Sequence, residues 1–598
     1  MKTFRTIFGV LDRSERRRLS LVVLAAIGIA LLELGNIASV MPFLAIVADP
    51  EIIHKNEYLS AVYNYFGFTT DRAFLIFIGI LIVCFVTFAS IAKAAGDFFI
   101  IRTTYIIRNS ITARLFRQYL SQGYEWFLKV NSTDLRKTVL QETDMFVSTG
   151  LTPGIMIIVQ GTVAVCLTGL VIAVDPMLAM LAVLVIGGSY GLLIFFTKRI
   201  TGRLGKQRFR SNKQRFLTST VALEGFKEIK FHYLEDYFSV IFGKQDYAFV
   251  SSQGKQRIIS RLPRTLFRAL LISGMIAVVL YLLRKNDNNV AAIIPTLGVY
   301  ALASLRLLPA IQALYEQMNL FRFGGAVVEN MSREMDSTRR PDTVVRPSGD
   351  PLHLRDKIVI DGVSYTYPDA QSAALQGVSL EIKANTTIGV VGGSGAGKST
   401  LVDLLLGLIT PSHGAIHVDG AALDEATIPR WRRSVGYVAQ TLYILDGSVA
   451  ENIAFGIPKG AIDMAAVERA ARAASLHEFV SSDLPEGYAT QVGEDGKLLS
   501  GGQRQRLAVA RALYNDPDVL MFDEATSALD NVTERQLMDA IYSLAKTKTI
   551  LIIAHRLSTI KNCDEIIHLE RGAVYGRGSY DELLADDDRF RDFVRAAE

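Results

Sequence analysis

Cysteine is nearly missing from this chain. Its 598 residues include three, Cys84, Cys166 and Cys563, far apart in sequence. An odd, scattered set excludes a disulfide scaffold and offers no zinc-ligand spacing. Two of the three sit in apolar runs, where burial as small hydrophobes is the ordinary use. Charge is scarce as well. Only 21% of residues are charged, and the net charge of +5 is small for this length. That argues against a nucleic-acid binder, which would carry a dense basic face. Internal repeats and low-complexity tracts are missing too. Apolar residues are plentiful, at half the chain, with a mean hydropathy of +0.27. Such a chain is too oily for a soluble enzyme and too apolar for a disordered one. At roughly 100–200 residues per domain the length allows about three to five units, or fewer around a membrane bundle.

The two halves differ. Residues 1–320 carry long apolar runs, and residues 351–598 read as a soluble α/β domain. A hydrocarbon core about 30 Å thick needs about 20 apolar residues as helix. Six runs qualify, at about 19–47, 74–95, 151–173, 177–197, 265–283 and 290–314. The first is too long for a secretory signal, and five more follow it. Lys and Arg crowd the segment before span one and the segments between spans two and three and between four and five. The alternate loops, 48–73, Asp175-Pro176 and 284–289, are short and poor in them. The positive-inside rule therefore places both termini in the cytoplasm. The two long inside segments show helical spacing, as in Leu115, Phe116, Tyr119 and Leu120, and read as membrane helices continued into the cytoplasm. Each is expected to end in a short element that touches the soluble domain. The candidates are Asn131-Ser132-Thr133-Asp134 and the stretch around Leu234-Glu235-Asp236. Residues 321–350 are polar, end in Arg339-Arg340-Pro341 and Pro347-Ser348-Gly349, and read as a linker.

The soluble half carries the chemistry. An apolar strand runs into Gly392-Gly393-Ser394-Gly395-Ala396-Gly397-Lys398-Ser399-Thr400, and the apolar helix LVDLLLGL follows. Strand, glycine-rich turn and helix form the context in which a P-loop works. Glycines let backbone N–H groups converge on phosphate oxygens, and the helix N-terminus adds partial positive charge. Lys398 is expected to reach the β- and γ-phosphates, and Ser399 to ligate Mg²⁺ through a hard oxygen. About 130 residues after this P-loop, where paired acids after a strand become a strong signal, VLMFDE places Asp523 and Glu524 at the C-terminal end of a buried strand. Ligands bind at that end of open α/β sheets. Asp523 suits the Mg²⁺ shell, and Glu524 can polarise the attacking water. Leu499-Ser500-Gly501-Gly502-Gln503 then opens a second helix, another anion-binding end. Two such ends in one domain suggest nucleotide held between two copies.

These motifs, in this order, resemble the ATP-binding cassette of ABC transporters across residues 351–598. The resemblance implies roles for further residues. Tyr367 would stack on adenine. Gln440 would watch Mg²⁺ and report to the membrane domain. Ser500, Gly501, Gly502 and Gln503 would meet the γ-phosphate of the partner subunit's nucleotide. Ser527-Ala528-Leu529-Asp530 would form the D-loop, and His555 the switch on the γ-phosphate. Thr490-Gln491-Val492-Gly493-Glu494 resembles the segment that touches coupling helices, departing from its commonest form at Gln491 and Asp495. The implied architecture is an α-helical membrane domain of six transmembrane helices (1–320), a linker (321–350) and an α/β P-loop nucleotide-binding domain with antiparallel β and helical subdomains (351–598). With one of each per chain it resembles a half-transporter of the type IV exporter fold. It implies an ATPase coupled to transport, using ATP and Mg²⁺ and acting as a homodimer through trans signature contacts. Its place would be the bacterial inner membrane.

Cargo is read from polar residues within the spans, which are costly there and usually functional. Glu33, Lys93, Arg264, Arg268 and Arg306 are the candidates. Lys93, Arg264 and Arg268 lie near cytoplasmic ends, where snorkelling is the plainer explanation. Glu33 and Arg306 lie deeper, and a basic cavity would suit a diphosphate. The membrane half is also similar to the flippase family of bacterial N-linked protein glycosylation, through Glu33 with Ser39-Val40-Met41-Pro42-Phe43, Leu262-Pro263-Arg264, and Arg306-Leu307 before Pro309. The first outside loop, with Tyr58, Leu59, Val62, Tyr63, Tyr65, Phe66 and Phe68, is amphipathic and resembles that family's external helix lying on the membrane. The implied cargo is a polyprenyl-diphosphate-linked oligosaccharide. Exporters of peptides, drugs or other lipids are the alternative. A cassette that only gates or regulates fits less well, because no catalytic position is degenerate.

Overall fold

The computed structural model describes residues 2–48, 50–174, 176, 180, 187–285, 290–338, 349–368, 370–523, 531–554 and 556–597. The chain divides into two compact units. One holds residues 1–122 and 130–342, the other 123–129 and 343–598.

The first unit is helical. Its long helices are α1 (Arg13–Ala48), α2 (Asp71–Leu120), α3 (Thr152–Val174), α4 (Gly188–Glu224), α5 (Glu235–Lys285) and α6 (Val290–Phe323). They contain five of the six apolar runs, and α4 takes up the described end of the fourth. Among the described residues, Asp71–Leu120 and the run Ser132–Ile172 are long and apolar enough to cross a membrane by length and composition. The helix starts follow local chemistry. Thr70 caps α2, its hydroxyl accepting from Ala73 N–H at 3.4 Å, with Asp71 in the first turn to complement the dipole. Asn56 caps the helix Glu57–Tyr65, accepting from Tyr58 and Leu59. That short helix buries none of its residues fully, and Tyr58 and Tyr65 are 84% and 85% exposed. Its other side lays Leu59 and Tyr63 against Ile53 and Phe74. One apolar face left bare suits a helix lying at a membrane surface. Residues 321–350 contain the helix Gly325–Ser337.

Polar residues hold the helices together below the apolar runs. Two π turns, Thr138–Glu142 and Val147–Leu151, widen the helical run before α3. The first carries both Gln141 and Glu142 to α4, where Asn212 Nδ2 donates to Gln141 Oε1 at 2.6 Å and to Glu142 Oε1 at 3.1 Å. Arg208 Nη1 donates to Glu142 Oε2 at 3.3 Å, and both side chains are 1% exposed. Phe249 of α5 lies under the same guanidinium. At Gly205 a Cβ would sit 2.1 Å from Phe323 O, so only glycine lets α4 and α6 approach this closely. Asn131 accepts from Thr133 N–H at 2.8 Å and caps Ser132–Lys137, so 131–134 is a helix start. The segment that groups with the second unit lies just before it, at 123–129. Around the second candidate element, Phe231, Tyr233 and Tyr237 are all exposed.

The second unit holds two sheets. Strands β1 (Lys357–Tyr365), β2 (Leu375–Lys383), β4 (His413–Val418) and β5 (Ala421–Ala422) form an antiparallel sheet in the order β2-β1-β4-β5. The second sheet has the order β10-β9-β3-β8-β7-β6, from β3 (Thr387–Val391), β6 (Val435–Val438), β7 (Val519–Asp523), β8 (Thr549–Ile553), β9 (Glu565–Glu570) and β10 (Ala573–Gly578). All but β10 run parallel. Every residue of β3, β7 and β8 is buried, as near-continuous apolar strands covered on both faces should be. Helices Val449–Ile453, Met464–Ala473, His477–Ser482 and α7 (Gly501–Leu513) share one core with that sheet.

Candidate nucleotide site

Parallel pairing brings the motifs to one edge. β3 is central, and its last residue leads into the glycine turn. In register, Asp523 pairs with Ile553, and Val438 with Phe522. Asp523 and Gln440 therefore leave the sheet at the same C-terminal end as the turn after β3. Glu524, Ser527 to Asp530 and His555 lie outside the described residues. They follow directly from β7 and β8.

The turn needs its glycines. Gly392, Gly395 and Gly397 have φ of 150°, 75° and 103°. A Cβ on Gly392 would sit 2.2 Å from Leu569 O, and one on Gly397 2.7 Å from both Ala374 O and Leu375 Cδ2. Gly393 and Ser394, with Ala396, complete a loop whose next residue starts the helix Lys398–Leu405, carrying Ser399 and Thr400 in its first turn. The Lys398 ammonium folds back over the loop, donating to Gly392 O at 2.8 Å and Gly393 O at 3.1 Å. Phosphate oxygens could take the place of those carbonyls. Beside the loop the Tyr367 hydroxyl lies 3.2 Å from Thr400 Oγ1, and the Tyr365 ring meets Tyr367 edge-on at 4.9 Å.

A second carboxylate near Asp523, missed by the motif reading, feels its charge here. Asp403 sits one turn into the helix after the P-loop. Burial, and then the charge of Asp523, push its carboxyl up to about 6. Burial and the same two acids raise the Tyr437 phenol. Burial and Asp403 raise Tyr124 of the helix Tyr124–Lys129, and the next residue, Glu125, accepts from the Tyr365 hydroxyl at 2.7 Å. Asp403 was legible as the fourth residue after Ser399, one helical turn away on the same face. Asp523, buried, and Asp403, half-buried, with Ser399 one helical turn before Asp403, make a hard-oxygen set in need of positive charge, which fits Mg²⁺.

The second helix end is built differently. Ser500 N–H donates to Gln503 Oε1 at 2.7 Å, and Ser500 Oγ accepts from Gln503 N–H at 3.3 Å. This reciprocal capping box uses the Gln503 side chain to fix the turn and leaves Gly501 and Gly502 N–H at the helix mouth. Ser500 is exposed. The side chains of Glu33, Arg264 and Arg306 lie outside the described residues. Their backbones lie within α1, α5 and α6.

Comparison with known proteins agrees with this layout. Residues 375–527 match the family described as ABC transporter, and residues 56–297 match the ABC transporter transmembrane region. A protein named ATP-dependent lipid A-core flippase from Cupriavidus metallidurans is 46% identical over 247 residues, so the match spans 41% of each chain. Another of that name, from Methylococcus capsulatus, is 31% identical over 472 residues, covering 79% of this chain and 77% of the other. Among solved structures, a bacterial Atm1-family ABC exporter with ATP bound superposes with a TM-score of 0.74 at 23% identity. It covers 98% of this chain and 99% of its own.

Proposed function

Since the chain belongs to the ABC transporter family, we propose that it is a homodimeric half-transporter that uses ATP to flip a phosphate-bearing glycolipid across the bacterial inner membrane. Six spans with both termini in the cytoplasm would form each half. A polyprenyl-diphosphate-linked oligosaccharide is the cargo that the resemblance to the glycosylation flippase family implies, and a basic cavity would suit its diphosphate. The relatives' name, ATP-dependent lipid A-core flippase, likewise supports a lipid as the cargo.

The observation that carries the reading is the pair of phosphate-binding helix ends. One sits at Lys398, beside Asp523. The other, at Ser500, is capped, exposed and belongs to a separate helix. A chain with one of each completes two sites when a second copy supplies the missing half, which gives C2 symmetry. Lys398 and the loop N–H groups would hold the β- and γ-phosphates, and Tyr367 the adenine. Ser399, Gln440 and Asp523 would hold Mg²⁺, which would neutralise phosphate charge. Glu524 would act as base or water-orienter, with His555 on the γ-phosphate and Asp530 in the D-loop. Gly501 and Gly502 would close on the γ-phosphate of the partner subunit's nucleotide. Closure of the two cassettes would pull the intracellular helices, and hydrolysis would release them. Tyr124 and Glu125, against Asp403 and Tyr365, give the segment 123–129 a direct line to the Mg²⁺ acids.

Flipping in proteoliposomes tests this. Wild type should move a labelled polyprenyl-diphosphate oligosaccharide out of reach of one leaflet when ATP is supplied, and Glu524→Gln should not. ATP hydrolysis with the lipid left in place would overturn the cargo and keep the ATPase.

A further inference from the structure

The helical unit holds a cavity of 590 Å³ between α4, α5 and α6, lined by Tyr190, Ser260, Arg261, Gln312, Tyr315 and Glu316 together with Pro263, Pro309 and Ala313. That volume is in the range of small-ligand sites, about 300–1,000 Å³. Its position is near the cytoplasmic ends of two apolar runs, 265–283 and 290–314.

The sequence accounts for the opening. Pro263 lies inside α5, where its missing N–H leaves the carbonyl four residues earlier without a helix donor. That carbonyl is Ile259 O, and the Tyr315 hydroxyl donates to it at 3.3 Å from α6. Tyr315 is 2% exposed, and its ring meets Tyr190 of α4 at 5.7 Å in a T-shaped contact. The two rings and the mended kink make a rigid wall, and Gln312 faces the Tyr190 hydroxyl. Arg261 and Glu316 stand exposed on the two helices that flank it, with no ion pair to hold either among the described residues.

We propose that this cavity binds a sugar ring of the transported glycolipid and so reads glycan rather than phosphate, an assignment that rests on the flippase reading above. One guanidinium, one carboxylate, one amide and one hydroxyl supply donors and acceptors together, as a ring of hydroxyls requires. Tyr190 and Tyr315, 3% and 2% exposed, stand behind this polar set and hold its shape. A phosphate would gain Arg261 but share the cavity with Glu316, and like charges repel. Arg261 is the specificity residue that attention to Arg264, one turn on, passes over.

The test is protection of a reporter thiol in the full chain. In nanodiscs, Ala313→Cys, which removes none of these polar groups, is labelled with a polar maleimide in a background with Cys84 and Cys166 replaced by alanine. Pro309→Cys on the same wall serves if that protein does not accumulate. The probes are bare polyprenyl diphosphate and polyprenyl diphosphate carrying N,N′-diacetylchitobiose. The sugar-bearing lipid should slow labelling about tenfold, the ratio set by about 1.4 kcal/mol of binding, and the bare lipid should leave it unchanged. Glu316→Lys should make the bare lipid protective as well. Equal protection by both lipids in wild-type surroundings, or protection by neither, overturns the proposal. Flipping is scored separately. Protection without flipping sinks the transport reading and keeps the site, and flipping without protection does the reverse.

Discussion

The two units hold their charged residues by opposite means. In the nucleotide unit Lys398 folds back on the glycine turn of its own motif, and Asp523 ends a strand whose register carries it to the same sheet edge, so short motifs in sequence specify the site. In the helical unit the buried partners come from distant places. Arg208 meets Glu142 across 66 residues, and Tyr315 meets Ile259 across 56. A site made by a motif should fail at the level of chemistry when one residue changes. A site made by helix packing should fail at the level of stability or cargo choice, with the ATP chemistry intact.

Glu524→Gln is the sharpest way to test the first half of that contrast. It keeps the size of the side chain while removing the charge proposed to orient water. ATP turnover should fall by about 10²–10⁴-fold, the usual contribution of a general base, while ATP binding measured by nucleotide retention stays. Turnover within a few-fold of wild type would remove Glu524 from the chemistry.

The second half is tested at Arg208. Arg208→Ala leaves Glu142 buried without its cation, and should cost about 3–5 kcal/mol. Replacing both, as Glu142→Leu with Arg208→Met, should recover most of that loss, because a well-packed apolar pair avoids the desolvation of two ions. The readout is the denaturant midpoint of the helical unit followed by a fluorophore on α4. A double variant as weak as the single one would show that Asn212 and Gln141 depend on the pair for more than charge.

A smaller effect is expected at Gly397. Alanine there must hold φ near 103° and place its Cβ against Ala374 O and Leu375. The strain should cost about 1–3 kcal/mol, read as weaker ATP binding with the helical unit unmoved in melting. Lost flipping with unchanged ATP affinity would mean that the loop bends without disturbing the phosphate cradle.

The same contrast explains what could be read from sequence. The P-loop, the signature and the Asp-Glu pair were legible because each is a contiguous string whose chemistry is local. The apolar runs were legible as helices because length and charge bias suffice. The cavity at Arg261 was not, since it depends on where a proline in α5 lies relative to a tyrosine in α6. Nor was the grouping of 123–129 with the nucleotide unit. Asn131-Ser132-Thr133-Asp134 has the composition of a helix cap and is one, but no spacing rule tells a cap from a docking element. The segment that groups with the nucleotide unit, Tyr124–Lys129, shows itself only through Glu125 on Tyr365 and Tyr124 beside Asp403.

Asp403 gives the gentlest test, because it lies in the motif unit yet is tuned by packing. Its carboxyl is raised from 3.8 to about 6 by burial and by Asp523. Between those values the native chain keeps a proton that the unfolded chain has released. Stability from this group is therefore present at the acid end and is lost as pH rises toward 6. Above that the folded, nucleotide-free unit carries two carboxylates near each other. Asp403→Asn should flatten the slope between pH 4 and 6 and raise the unfolding midpoint of the nucleotide unit at neutral pH, both measured without nucleotide or Mg²⁺. A slope that survives the substitution would assign the titration to another acid, and would leave Asp523 facing less negative charge than the geometry implies. A divalent cation would then have less repulsion to relieve, and the second carboxylate would stand as a packing residue of the helix after the P-loop.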